Sequence, residues 1–144
     1  MAEILKKSNI VLNQPVAERE DVIRRCGQML FDSGYIGERY IEGMLKRDAS
    51  FSTGIGNFIA IPHGEEDYKK DIIGTGLVVL AYPDGIDWHG SPVHLVIGIA
   101  AKGDEHLDIM GNVVDHLETG DDTLRLVQSA DLDEVYRIFR GTGA

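Results

Sequence analysis

Apolar residues recur along this chain first at helical spacing, then in unbroken runs, then at helical spacing again. After a short apolar segment at Asn9 to Leu12, which predicts a first strand, Val22, Ile23, Cys26, Met29 and Leu30 share one face of a helix over about Glu18 to Ser33, with Gly34 as its stop. Tyr40, Ile41, Met44 and Leu45 mark a second helix over about Gly37 to Lys46. Three apolar runs follow, Phe58 to Ile61, Gly76 to Tyr82 and Val93 to Ala101. The last two are rich in valine, isoleucine and leucine, as strands covered on both faces are. Pro83-Asp84-Gly85 is a turn signal, so a loop containing Trp88 is expected between those two strands. Leu107, Met110, Val113, Val114 and Leu117 then predict a helical face, with Asp104 as N-cap, and Asp121 to Ser129 and Asp131 to Phe139 predict two more amphipathic helices. The order is strand, two helices, three strands, three helices. An α/β fold with a mixed central sheet and helices on both faces, a three-layer α/β/α sandwich, satisfies that order most economically.

The chain of 144 residues is long enough for one core, and with no repeat, linker or low-complexity tract it is expected to form one domain over 1–144. No apolar run is long enough to span a bilayer, and the N-terminus lacks an apolar signal core, so a cytoplasmic location is expected. A single cysteine, Cys26, excludes an internal disulfide and suits a reducing compartment; on the apolar face of its helix it reads as a structural thiol. The net charge of −10 argues against nucleic acid and anionic membrane surfaces and favours a basic protein partner.

Familiar cofactor signatures are absent. Gly54-Ile55-Gly56 has isoleucine at position 59, where a dinucleotide fingerprint needs a third small residue. Gly98 to Gly103 leads into Asp104 and Glu105 instead of the Lys-Ser/Thr of a P-loop. His63-Gly64-Glu65 resembles half of a zinc-deaminase motif whose cysteine pair one cysteine cannot supply, and no two histidines have zincin spacing.

Against that background Pro62-His63-Gly64 stands out. An apolar run ending there holds one imidazole at a sheet edge, with proline fixing the approach and glycine letting another molecule come close. His106 falls in the first turn of a predicted helix, where free N–H groups favour an anion, and Arg47 ends the second predicted helix before the hydroxyl-rich loop Asp48 to Thr53. Solvated side chains are the ordinary alternative for both. His89, His94 and His116 have no comparable context and read as structural.

Gly-Asn-Phe-Ile-Ala-Ile-Pro-His-Gly at 56–64 and Asp-Glu-His-Leu-Asp-Ile at 104–109, with Met44-Leu45-Lys46-Arg47 and Val96-Ile97-Gly98-Ile99-Ala100-Ala101, resemble the EIIA component of the sugar phosphotransferase system, in its mannitol-type branch. The resemblance covers nearly the whole chain and implies a mixed five-stranded sheet flanked by helices. It implies that His63 accepts a phosphoryl group on Nε2 from the phosphohistidine of HPr. His63 would then pass it to a cysteine of EIIB, which phosphorylates mannitol as the membrane component EIIC brings it in. His106 and Arg47 are implied to contact the phosphoryl oxygens. The other ring nitrogen of His63 is expected to donate to a backbone carbonyl. No metal or cofactor is implied, because the donor phosphoramidate is already activated. Glu65 and the pair Gly103-Asp104 depart from the family's usual residues. Two other readings stay open: a nitrogen-regulatory or fructose-type EIIA acting as a phosphorylation-state regulator, and a non-catalytic module sensing anions or pH.

Overall fold

A computed structural model describes residues 4–103 and 105–140, and of His106 the backbone alone. Five strands form one mixed sheet in the order β1-β4-β5-β3-β2: β1 (Ile10–Val11), β2 (Gly54–Gly56), β3 (Ile59–Ala60), β4 (Gly76–Trp88) and β5 (Ser91–Ala100). β1 runs parallel to β4 and β3 parallel to β5, while β4–β5 and β2–β3 are antiparallel. The helices are α1 (Arg19–Asp32), α2 (Arg39–Ser50), α3 (Glu105–His116), α4 (Gly120–Ser129) and α5 (Leu132–Phe139), with a 3-10 turn at Glu66–Asp71.

Side chains on a strand alternate between faces, and the two cores follow that alternation. Val78, Leu80 and Tyr82 of β4 and Val96 and Ala100 of β5 meet Val22, Ile23, Cys26 and Leu30 of α1 and Tyr40 and Met44 of α2. Their neighbours Leu77, Val79, Ala81, Leu95, Ile97 and Ile99 face Ile109, Val113, Leu126, Val127, Val135 and Phe139 of α3, α4 and α5. Helices therefore cover both faces, as the element order predicts. At about 25 cal/mol per Å² of apolar area, burying both faces of two long strands supplies most of the driving force.

Four sequence expectations need correction. Gly54–Gly56 is a strand that its glycines conceal; it closes a hairpin through Asn57 and Phe58, both at positive φ (53° and 64°), as a type I′ turn requires. Pro83-Asp84-Gly85 is a bulge inside β4, where Tyr82 to Gly85 stand opposite His94 alone. The true turn is His89-Gly90 (φ 54° and 89°), so Trp88 is a buried strand residue rather than part of a loop. The α3 face is also rotated from expectation: Ile109, Val113 and Leu117 are buried, whereas Leu107 and Val114 are exposed. Finally, α2 runs to Ser50, so Arg47 lies in its last turn, with Asp48, Ala49 and Ser50 still helical beyond it. The expected N-cap Asp104 lies outside the described residues.

The bulge explains His94. Its Nδ1 lies 3.0 Å from the Tyr82 carbonyl and 3.2 Å from that of Pro83, where it donates to acceptors that the ladder leaves over. Cys26 is fully buried and desolvation pushes its thiol up to about 12, in keeping with a structural role.

Close layer packing depends on Gly98 of β5, where a Cβ would stand 2.8 Å from Val78 Cγ2 and 2.9 Å from Cys26 Cβ. Gly98→Ala should therefore destabilise the fold by about 1–3 kcal/mol, the usual cost of overpacking, read as a lower urea midpoint with unchanged slope.

Candidate functional site

The parallel pairing of β3 with β5 brings the ends of both strands to one side of the sheet, where ligands bind in open α/β folds. The chain leaves β3 through Ile61 and Pro62 to His63, and the Pro62 carbonyl accepts the Ile99 N–H at 2.9 Å, which ties this exit to β5. Beyond His63, the Glu65 N–H donates to the Gly43 carbonyl of α2 at 3.2 Å. A half-buried imidazole is thus clamped between sheet and helix.

Its Nδ1 lies 2.8 Å from the Ile61 carbonyl oxygen. A carbonyl can only accept, so Nδ1 carries a proton, and in the neutral ring Nε2 is then the nitrogen with the lone pair. This is the tautomer that the sequence reading expects, and it presents a nucleophilic nitrogen.

The neighbouring glycine has a different purpose from the one expected. A Cβ on Gly64 would stand 2.5 Å from Tyr40 Cε1, so this residue is small to let the Tyr40 ring pack against the backbone, not to admit an incoming molecule. The Gly64 N–H donates to the Tyr40 hydroxyl at 2.8 Å.

His63 opens on a cleft of 360 Å³ that is also lined by Tyr40 and Arg47 of α2, Glu65, and Glu66 and Lys69 of the 3-10 turn. The guanidinium of Arg47 donates through Nη1 to the Phe51 carbonyl and lies over the Phe51 ring. One of its five N–H donors is thereby used, and the planar fork remains suited to an anion. Lys69 Nζ is 3.3 Å from Glu66 Oε2, which partly neutralises the second cation of the cleft. His106 stands in the first turn of α3, directly after β5 ends at Ala100, so its backbone belongs to the same side of the sheet. Its side chain lies outside the described residues. Thr75 pins this helix start: its hydroxyl donates to Glu105 Oε1 at 2.9 Å and accepts the Lys102 N–H at 3.1 Å. Among the described residues no group of three or more His, Cys, Asp or Glu side chains converges as a metal site would require.

Sequence reasoning missed the residue that fixes the Arg47 turn. Asp48 is 1% exposed. Its Oδ1 accepts the Thr53 amide at 3.0 Å, the Thr53 hydroxyl at 2.6 Å and the Trp88 indole N–H at 3.0 Å. Its Oδ2 lies 2.7 Å from His89 Nε2 and forms an ion pair with Arg19 Nε at 2.9 Å, the latter without hydrogen-bond alignment. Burial alone would raise the Asp48 pKa; the Thr53 hydroxyl, the Thr53 amide and His89 outweigh it, and the net direction is down. Nothing local in the sequence announces this, since an acidic residue near a helix end reads as surface. His89 is accordingly structural, as expected, although its role is to answer a buried charge. His116 Nδ1 lies 2.9 Å from the Asn112 carbonyl of its own helix.

The model of the family described as "Phosphoenolpyruvate-dependent sugar phosphotransferase system, EIIA 2" matches residues 3–141. The mannitol-specific phosphotransferase enzyme IIA component of Bacillus subtilis (strain 168) is 38% identical over 138 residues, covering 95% of this chain and 96% of the relative. The enzyme IIA of mannitol from Escherichia coli, solved in complex with its phosphorylated enzyme IIB, superposes with a TM-score of 0.86 at 32% identity, covering 95% of this chain and 99% of that one. The crystal structure of the Escherichia coli mannitol IIA gives a TM-score of 0.83, also at 32% identity, with 93% and 97% covered.

Because the Asp48 carboxylate answers several donors at once, Asp48→Ala should cost about 3–5 kcal/mol at neutral pH in chemical denaturation, leaving His89 and Arg19 without their counter-charge. A lowered folded-state pKa gives stability that is present above the ordinary carboxylate pKa of about 3.9 and lost as pH falls through the folded value. The stability gap between the native protein and Asp48→Asn should therefore narrow on acidification below about pH 4.

Proposed function

This chain belongs to the EIIA 2 family of the phosphoenolpyruvate-dependent sugar phosphotransferase system, and within it we propose that His63 is the residue that carries the phosphoryl group, in a mannitol-type phosphoryl carrier. The single observation that carries this reading is the Nδ1–Ile61 hydrogen bond, which in the neutral ring assigns the lone pair to Nε2, beside a cleft that also contains a guanidinium. Nε2 attacks the phosphorus of phosphohistidine on HPr; the new N–P bond forms as the donor's N–P bond breaks, and the donor imidazole recovers its lone pair. The thiolate of an EIIB cysteine then takes the group from His63 in the same manner. Negative charge on the three oxygens in flight needs fixed donors, and Arg47 offers two parallel N–H groups from the last turn of α2. His106, in the opening turn of α3, is read as a further donor to these oxygens, and the positive end of the helix dipole there favours an anion. Position and electrostatics supply the catalysis.

The mannitol branch is supported by full-length similarity to mannitol-specific relatives and by the close superposition on the Escherichia coli protein solved with its IIB partner. We read the chain as one EIIA domain over 1–144 that works in the cytoplasm between HPr and EIIB. Among the described residues no helix is long and apolar enough to cross a membrane. Basic partners would be steered to it by its net charge of −10.

Two outcomes are expected. After incubation with phosphoenolpyruvate, Enzyme I and HPr, intact-mass analysis should find an acid-labile phosphoryl adduct on the native chain and none on His63→Ala; an adduct surviving in that variant would move the site elsewhere. Arg47→Lys keeps the charge but loses the fork, so single-turnover transfer to EIIB should slow by the equivalent of about 1.5–3 kcal/mol, with an unchanged rate removing Arg47 from the site.

A further inference from the structure

Tyr40 lines the His63 cleft from α2, yet it is only 2% exposed. Its hydroxyl oxygen is already engaged as an acceptor, holding the N–H of Gly64, the residue after His63, at 2.8 Å. That bond uses a lone pair and leaves the O–H proton to be placed. Among the described residues the Tyr40 hydroxyl donates to no acceptor. A buried hydroxyl whose proton has no acceptor among the described residues, at the wall of a cleft, is costly unless something in the cleft takes it. The ring is also fixed: Gly64 packs so tightly against it that a Cβ would fall within 2.6 Å of both Cε1 and Cζ. The donor is therefore held in place by two contacts with Gly64, the residue that follows the histidine.

We propose that Tyr40 is a further phosphoryl-binding residue, its hydroxyl donating a hydrogen bond to an oxygen of the group on His63 while its lone pair holds the Gly64 amide. This rests on the reading that His63 carries the group. Arg47 and Tyr40 lie on one face of α2, seven residues and so about two turns apart, and both line the cleft. Together they offer a planar fork and a single donor to three oxygens. An N–H donated into the same hydroxyl polarises it and strengthens the bond that it gives in turn. The other titratable groups lining the cleft are His63, Glu65, Glu66 and Lys69. Burial raises the Tyr40 pKa and the Gly64 amide only partly offsets this, so the phenol remains a donor at neutral pH.

The test compares single-turnover phosphoryl transfer from phospho-HPr to the native chain, to Tyr40→Phe, and to a chain with difluorotyrosine in place of Tyr40. Tyr40→Phe should slow the transfer step about tenfold to a hundredfold, the range of a hydrogen bond to a charged group, with the concentration dependence on phospho-HPr unchanged. Fluorination lowers the phenol pKa, so the substituted chain should lose rate as pH rises through that lowered value, while the phenolate still accepts the Gly64 N–H. A purely structural Tyr40 gives a flat profile over the same range, and that result overturns the proposal. A native rate in Tyr40→Phe overturns it as well. Should Tyr40→Phe fold poorly, the fluorinated chain decides alone. If the native chain takes no phosphoryl group from phospho-HPr, the His63 reading falls and this proposal falls with it, an outcome distinct from a native chain that is phosphorylated at the same rate as its Tyr40 variants.

Discussion

Everything in this molecule is hung on β4 and β5, two antiparallel strands buried on both faces. An apolar strand covered on one side only would leave its alternate side chains in water, so two sets of helices are obligatory. With both faces taken, the polar chemistry has to gather where the strands stop. β3 reaches that place because it pairs parallel to β5, and the Pro62–Ile99 hydrogen bond carries the pairing one step past the strand, to the residue before His63.

The second constraint is electrostatic. Asp48 is a charge placed in the interior, and such a charge is tolerated only when its oxygens are fully answered. Answering it draws together the end of α2, the segment leading into β2, the β4–β5 turn and the start of α1, through Thr53, Trp88, His89 and Arg19. Arg47 is the preceding residue. Its backbone inherits the fixed position of Asp48, so its guanidinium approaches the His63 cleft from a rigid support rather than from a fraying helix end.

Much of this was legible in the sequence. Helix periodicity located α1, α2, α4 and α5 to within a few residues, and the long apolar runs disclosed the two-sided strands. Pro62-His63-Gly64 pointed to the central histidine. Other features were hidden for physical reasons. Gly54 to Gly56 have almost no side chains to alternate, so period two could not reveal β2. Pro83-Asp84-Gly85 looks the same in a bulge as in a turn, because both need an unpaired backbone and a positive φ. In α3 the apolar residues exceed the width of its buried stripe, so the sequence did not distinguish Ile109 from Leu107 as the inward one. The partners of Asp48 come from three separate segments, and Tyr40 meets Gly64 across twenty-four positions. Such pairings exist only once the chain has folded.

The split of the interior into two cores has a consequence for how the protein can be tuned. Arg47 and Tyr40 rest on the layer built by α1 and α2, whereas the beginning of α3 rests on the opposite one. A packing change beneath either layer shifts its own group of side chains relative to the histidine and leaves the other standing. The cleft residues of α2 and the start of α3 thus have separate foundations, each adjustable by mutations far from the site.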